Sequence, residues 1–254
     1  MQITSSKNMC FGRAEPPNVQ ELIKTLEEHG IRSFVAGVSA LVFYGAERLQ
    51  HAWEICVPSH QFNYAIELLC SNLLSCTYEP VRHGLLPQPS TLSHLHPRFR
   101  TKDAELDIVL VPSFDVHIES TVPTLVYSAS GVPYPALHII VQSFLDTYDV
   151  VSLCDIIDGT DISEAWGHKF LDLSGTNDVQ WAEQMNKRYF ASIARGQEMV
   201  LPLFPTQSIG RQVMWETYVR QKKARLGWTH PDGVFDTRFR LKGFQYPDWE
   251  QKDV

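Results

Sequence analysis

No stretch of this chain approaches the ~20 consecutive apolar residues of a membrane-spanning helix, and Met1 to Pro17 lacks the basic start and apolar centre of a secretory leader. A soluble, cytoplasmic protein with no membrane contact is the expectation. Cysteine is sparse: Cys10, Cys56, Cys70, Cys76 and Cys154 are odd in number, widely spaced and without a CxxC pair. That argues against a zinc knuckle or a disulfide framework and predicts reduced thiols. Positive charge is in deficit, with 22 Lys and Arg against 29 Asp and Glu for a net of −7, so general nucleic-acid binding is not expected. The GxSxG, P-loop and Rossmann glycine fingerprints are missing. No segment repeats at a solenoid period of roughly 20–50 residues.

What is present suits a folded body of enzyme size. The 254 residues are 44% hydrophobic and 11% aromatic, enough for a core of one large domain or a domain with an appendage. Val19, Leu22, Ile23 and Leu26 recur at helical spacing between Pro17 and a stop at Gly30. Ile31 to Val35 then reads as a buried strand, Gly37 as a turn, and Val38 to Tyr44 as a helix. A further strand, His51 to Val57, ends at Pro58 and is followed by helical periodicity from His60 to Leu74. Cys76 to Arg82 is a candidate strand before a proline-bearing loop. Arg98–Lys102 and Glu105–Val111 form a predicted hairpin, with Leu106, Ile108 and Leu110 on one face and Asp107, Val109 and Val111 on the other.

From Pro133 the pattern turns helical. Tyr134 to Gly159 gives one long helical pattern, and helices follow at Asp178–Arg195 and Arg211–Arg225. The fold class expected is α/β or α+β, a small mixed sheet with a mostly helical C-terminal half. The divisions are an N-terminal extension at 1–17, an α/β lobe at 18–132, a helical lobe at 133–226 and an aromatic strap at 227–254. In the strap, Trp228, Phe235, Phe244, Tyr246 and Trp249 are expected to pack across the body, since burying each fully is worth roughly 1.5–3 kcal/mol.

One constellation bears on chemistry: strand, Gly37, helix, a strand carrying Glu54, and a later strand carrying Asp107. It resembles the nucleotidyltransferase fold superfamily, where a Gly-Gly or Gly-Ser pair is followed by two acids separated by one residue and later by a third. The segment FVAGVSALVFYGAERLQHAWEICVPSHQFNYAIELL is similar to an uncharacterised fungal group of that superfamily. LCDIIDGTDISEAWG and NDVQWAEQMNKR resemble its helical half, so the likeness runs from Asn18 to about Arg195. The resemblance implies that Glu54 and Asp107 are the catalytic, metal-holding acids. It likewise implies Gly37, Ser39 and Arg48 at a bound nucleotide, with magnesium and a nucleoside triphosphate as cofactors if the protein is active and none otherwise.

The motif is incomplete. Val38 stands where the second Gly or Ser belongs, with Ser39 one place late. Thirteen residues separate Val38 from Ala52, which occupies the first acid's place. Acids at i and i+2 of a strand point to one face and together hold divalent ions, whereas a methyl group supplies no ligand. Each residue also has a plain structural role open to it: Gly37 as a tight turn, Glu54 as the partner of Arg48, Asp107 on the solvated face of a hairpin.

Other groups carry less. His83, His94 and His96 lack the partners of a zinc set. Asp155, Asp158 and Asp161 fit a helix end followed by an Asp-Gly turn better than a calcium loop. Arg211, Arg220, Lys222, Lys223 and Arg225 form a basic helix, either a solvated face or a site for an anionic ligand. Three functions compete: a nucleotidyltransferase-fold protein whose metal-dependent transfer is lost or altered, working as a binding or regulatory module or repurposed enzyme; an active nucleotidyltransferase with an unknown acceptor; and a structural or interaction protein. A small-molecule or nucleotide ligand is the partner implied by the first two.

Overall fold

The computed structural model describes residues 15–72, 74–81, 91–102, 104–118, 124–193, 201–230 and 237–243. The first half contains α1 (Pro17–Glu28), β1 (Phe34–Val35), α2 (Gly37–Phe43), β2 (Glu47–Arg48) and β3 (Ala52–Val57). It continues through α3 (Phe62–Leu69), β4 (Tyr78–Val81), β5 (Arg98–Thr101) and β6 (Asp107–Pro112). A small ribbon of β7 (Leu125–Tyr127) and β8 (Pro133–Pro135) leads into α4 (Leu137–Thr147), α5 (Val150–Thr160), α6 (Glu164–Phe170), α7 (Val179–Ser192) and α8 (Arg211–Arg220). Two short strands, β9 (Thr229–His230) and β10 (Thr237–Arg238), come last.

The protein is mixed α/β, built on a five-stranded sheet of order β1-β3-β6-β5-β4. β3 and β6 run parallel at its centre, while the other pairs are antiparallel. Burial explains why these two strands are so apolar: β6 is buried at every position, and β3 at every position except Glu54. Trp53, Ile55, Val57, Ile108 and Leu110 enter the main core, together with Val19, Leu22, Ile23 and Leu26 of α1 and with α4, α5 and α8. Among the described residues, no helix is long and apolar enough to cross a membrane. Cys56, Cys70, Cys76 and Cys154 are free thiols.

α5 is the helical half's centre, with Ser152 through Gly159 all buried. Gly159 is required there, because a Cβ would come within 2.7 Å of the backbone of Gly45 and Ala46. The expected Asp-Gly turn is thereby corrected: Asp158 and Gly159 lie inside the helix, which ends at Asp161 with φ 51°. Both aspartates are buried against arginines from distant segments. Arg48 donates to Asp155 at 2.8 Å, and Arg225 donates to both oxygens of Asp158 at 2.7 and 2.6 Å. The hydroxyl of Thr237 donates to Asp155 at 2.6 Å, tying the C-terminal β10 to the middle of the molecule.

The long helix expected from Tyr134 to Gly159 is three elements, β8, α4 and α5, because Tyr148 takes a left-handed φ of 57° and turns the chain. Four of the five residues of the basic run are paired with acids. Arg211 pairs with Asp146, Arg220 with Glu164 and Glu216, Lys222 with Asp161, and Arg225 with Asp158. The strap is corrected at Trp228, which is 66% exposed rather than packed. Phe235, Phe244, Tyr246 and Trp249 lie outside the described residues, as does His83.

Candidate functional site

The parallel register Ala52↔Asp107, Glu54↔Val109 and Cys56↔Val111 sets one face of the sheet. Alternation along each strand turns Ala52, Glu54, Asp107, Val109 and Val111 to this face and sends Trp53, Ile55, Ile108 and Leu110 to the core. Antiparallel β5 adds Arg98 beside Val109. The structure therefore brings Glu54 and Asp107 to the same face of neighbouring strands. Over that face, α4, the start of α5, α7 and residues 91–96 close a cleft of about 170 Å³, lined by Glu54, Arg98, Arg48, His96 and Asp115 and by an apolar wall that includes Phe144.

Gly37 occupies the start of α2 with φ +54°, a conformation that favours glycine. Its second role is contact. The Glu54 carboxylate packs directly on its α-carbon, and the Val38 N–H donates to Glu54 Oε2 at 2.6 Å. Glu54 thus occupies the backbone donor beside the glycine turn. Ser39 is buried, donating to the Ala52 carbonyl at 3.1 Å and accepting from the Gln50 amide at 2.9 Å, so its hydroxyl clamps α2 to β3.

Glu54 keeps some surface open to the cleft, but its carboxyl end is enclosed. Burial pushes that carboxyl above its ordinary range, against the Val38 N–H and the electrostatic pull of His96, Arg48 and Arg98. Its expected ion pair with Arg48 is not the one the structure makes: Arg48 pairs with Asp155 and influences Glu54 from farther off. Asp107 is buried rather than solvated, and Arg100 grips it with two bonds of 2.8 and 3.2 Å. Burial also lowers the pKa of Arg98, opposed by the charges of Glu54 and Asp107.

A second charged set closes the cleft from the side. His96 donates to Asp115 at 2.8 Å, and Arg188 of α7 grips the same carboxylate. Burial acts to raise Asp115, but the bonds from His96 and Arg188 outweigh it and hold the carboxyl below its ordinary value. His94 meets Ser192 at 3.5 Å, so the His-Leu-His pair divides between two partners. The three-residue group that could hold a metal among the described residues is Glu164, His168 and Glu216, away from the cleft, and Arg220 bridges both of its carboxylates.

Sequence reasoning missed Arg98, Asp115, Arg188 and Trp181 as neighbours of the site. Only Arg98 left a trace: in RFRT, Arg98 and Arg100 alternate with Phe99 and Thr101, placing both arginines on one strand face. Comparison of the chain with models of known protein families gives no match, and comparison with curated proteins gives none either.

Proposed function

We propose that this is a protein of nucleotidyltransferase fold whose metal-dependent transfer is lost or altered, and that it works as a ligand-binding or regulatory module. Support for the fold type comes from the order strand, Gly37, helix, Glu54-bearing β3 and parallel Asp107-bearing β6, together with the sequence resemblance. The observation that carries the functional reading is the fate of the acids. Ala52 offers a methyl group opposite Asp107, Glu54 is seated on the Val38 N–H, and Asp107 is gripped by Arg100.

That donor set does not fit a pair of magnesium ions. Hard divalent cations need several oxygen ligands converging from open positions, and here the Glu54 carboxyl is enclosed and feels the positive charges of His96, Arg48 and Arg98. An active transferase remains the second reading, favoured by Glu54 and Asp107 sharing one sheet face. A turnover assay with each nucleoside triphosphate and magnesium or manganese separates the two. No transfer or hydrolysis is expected from the purified protein, and metal-dependent product formation that disappears in Glu54→Gln would overturn the proposal.

A further inference from the structure

We propose that the cleft binds a small organic anion directly, without a divalent cation, with Arg98 anchoring the anionic group and the apolar wall receiving an aromatic body. The inference deepens the reading above and rests on it, since it takes the cleft to be a ligand site where cationic side chains do the work of a metal.

Arg98 is the reason. Other arginines around the site have carboxylate partners: Arg48 has Asp155, Arg100 has Asp107, Arg188 has Asp115. Arg98 lines the cleft, and its Nε is buried without a hydrogen-bond partner. Glu54 and Asp107 act on it electrostatically, yet their own carboxylates bond the Val38 N–H and Arg100. A buried N–H without a partner is costly even on a half-buried side chain, and a planar guanidinium suits two parallel bonds to a carboxylate or phosphate. The β5–β6 register holds its backbone rigidly beside Val109, so the anchor sits on the sheet and not on a loop.

The rest of the cleft sets the ligand's class. Val109, Val111, Ile140 and Phe144 give it an apolar side, while His96 adds a second polar group; of the acids in the lining, Glu54 is pushed towards its neutral form by burial and Asp115 is bonded by His96 and Arg188. At about 170 Å³ it has room for a single ring with a small anionic substituent, given that an apolar cavity of ~150 Å³ holds benzene.

The test is calorimetric titration of the full chain with phenyl phosphate, benzoate and inorganic phosphate, each in EDTA and again in magnesium. The expected result is binding of phenyl phosphate or benzoate in EDTA, no gain on adding magnesium, weaker binding of inorganic phosphate, and a roughly ten- to hundredfold loss in Arg98→Gln. The two aryl anions distinguish a phosphate from a carboxylate head. Arg98→Lys, which keeps the charge, should retain more affinity than Arg98→Gln at an unchanged thermal midpoint, separating anchoring from folding. Failure of both aryl anions to bind in EDTA, a strict need for magnesium, or equal affinity in both Arg98 variants and the wild type would each overturn the inference. Turnover of a triphosphate alongside aryl-anion binding would instead sink the loss-of-transfer reading and leave this one standing.

Discussion

The Glu54 carboxylate accepts the Val38 N–H at 2.6 Å across 16 residues of sequence, and it can do so only because residue 37 has no side chain. A Cβ at Gly37 would stand 2.2 Å from Glu54 Oε2, and its φ of +54° is one that side-chain-bearing residues rarely adopt. The glycine of the turn and the acid of β3 are therefore one unit.

Gly37→Ala should destabilise the protein by more than about 1 kcal/mol, the backbone contribution alone being of that size. Urea unfolding measures it. The double variant Gly37→Ala/Glu54→Ala should lose less than the sum of the two single changes, because removing the carboxylate relieves the contact. Strict additivity would show that the two residues do not press on one another.

Ala52→Asp places an acid opposite Asp107 and two residues from Glu54 on the same face. Manganese affinity should rise in this variant, read as heat of binding and as a metal-dependent increase in thermal midpoint. Equal manganese affinity in the wild type and the variant would show that the missing acid is not what limits metal binding.

The parts legible in the sequence were those fixed by short-range periodicity. Val19, Leu22, Ile23 and Leu26 mark α1, alternation around Ile108 marks β6 and its hairpin with β5, and Gly37 marks the turn. What stayed hidden depended on partners remote in sequence. Nothing in DIIDGTD announces that Asp155 meets Arg48 and Thr237, or that Asp158 meets Arg225. The break at Tyr148 was equally silent, since a tyrosine in a left-handed conformation leaves no glycine signal. Gly37, Glu54 and Asp107 could be singled out from a strand–turn–helix pattern, and Glu54 and Asp107 share a sheet face, whereas nothing in the sequence announces that Arg188 of α7 meets Asp115 at the cleft's side.

Burial pushes the Asp155 carboxyl up to about 6, against the pull of Arg48 and Thr237. Its folded value thus lies above the 3.8 of an ordinary aspartate, so between pH 4 and 6 the native state holds more protons than the unfolded state. Stability should fall as pH rises through that window on account of this group. In thermal melts, the advantage of the wild type over Asp155→Asn should shrink from pH 4 to pH 6 and level off above it. A widening advantage over the same range would contradict the assigned direction.

Among the described C-terminal residues, Thr237 is buried and bonds Asp155, whereas the Trp228 side chain is exposed. Thr237→Val removes the hydroxyl that donates to Asp155 and should cost about 1.5–3 kcal/mol, as expected for a buried bond to a charged group. Trp228→Ala, at a side chain 66% exposed, should change stability by less than about 0.5 kcal/mol. Chemical denaturation of the two variants compares them directly, and a larger loss in Trp228→Ala would reverse the assignment.

Whether the cleft supports metal-dependent nucleotide chemistry is decided by titrating the wild-type protein with ATP in EDTA and then in magnesium. Magnesium should bring no gain in ATP affinity beyond about twofold, and no heat of turnover should follow mixing. A magnesium-dependent rise in affinity of tenfold or more, lost in Glu54→Gln, would contradict this expectation.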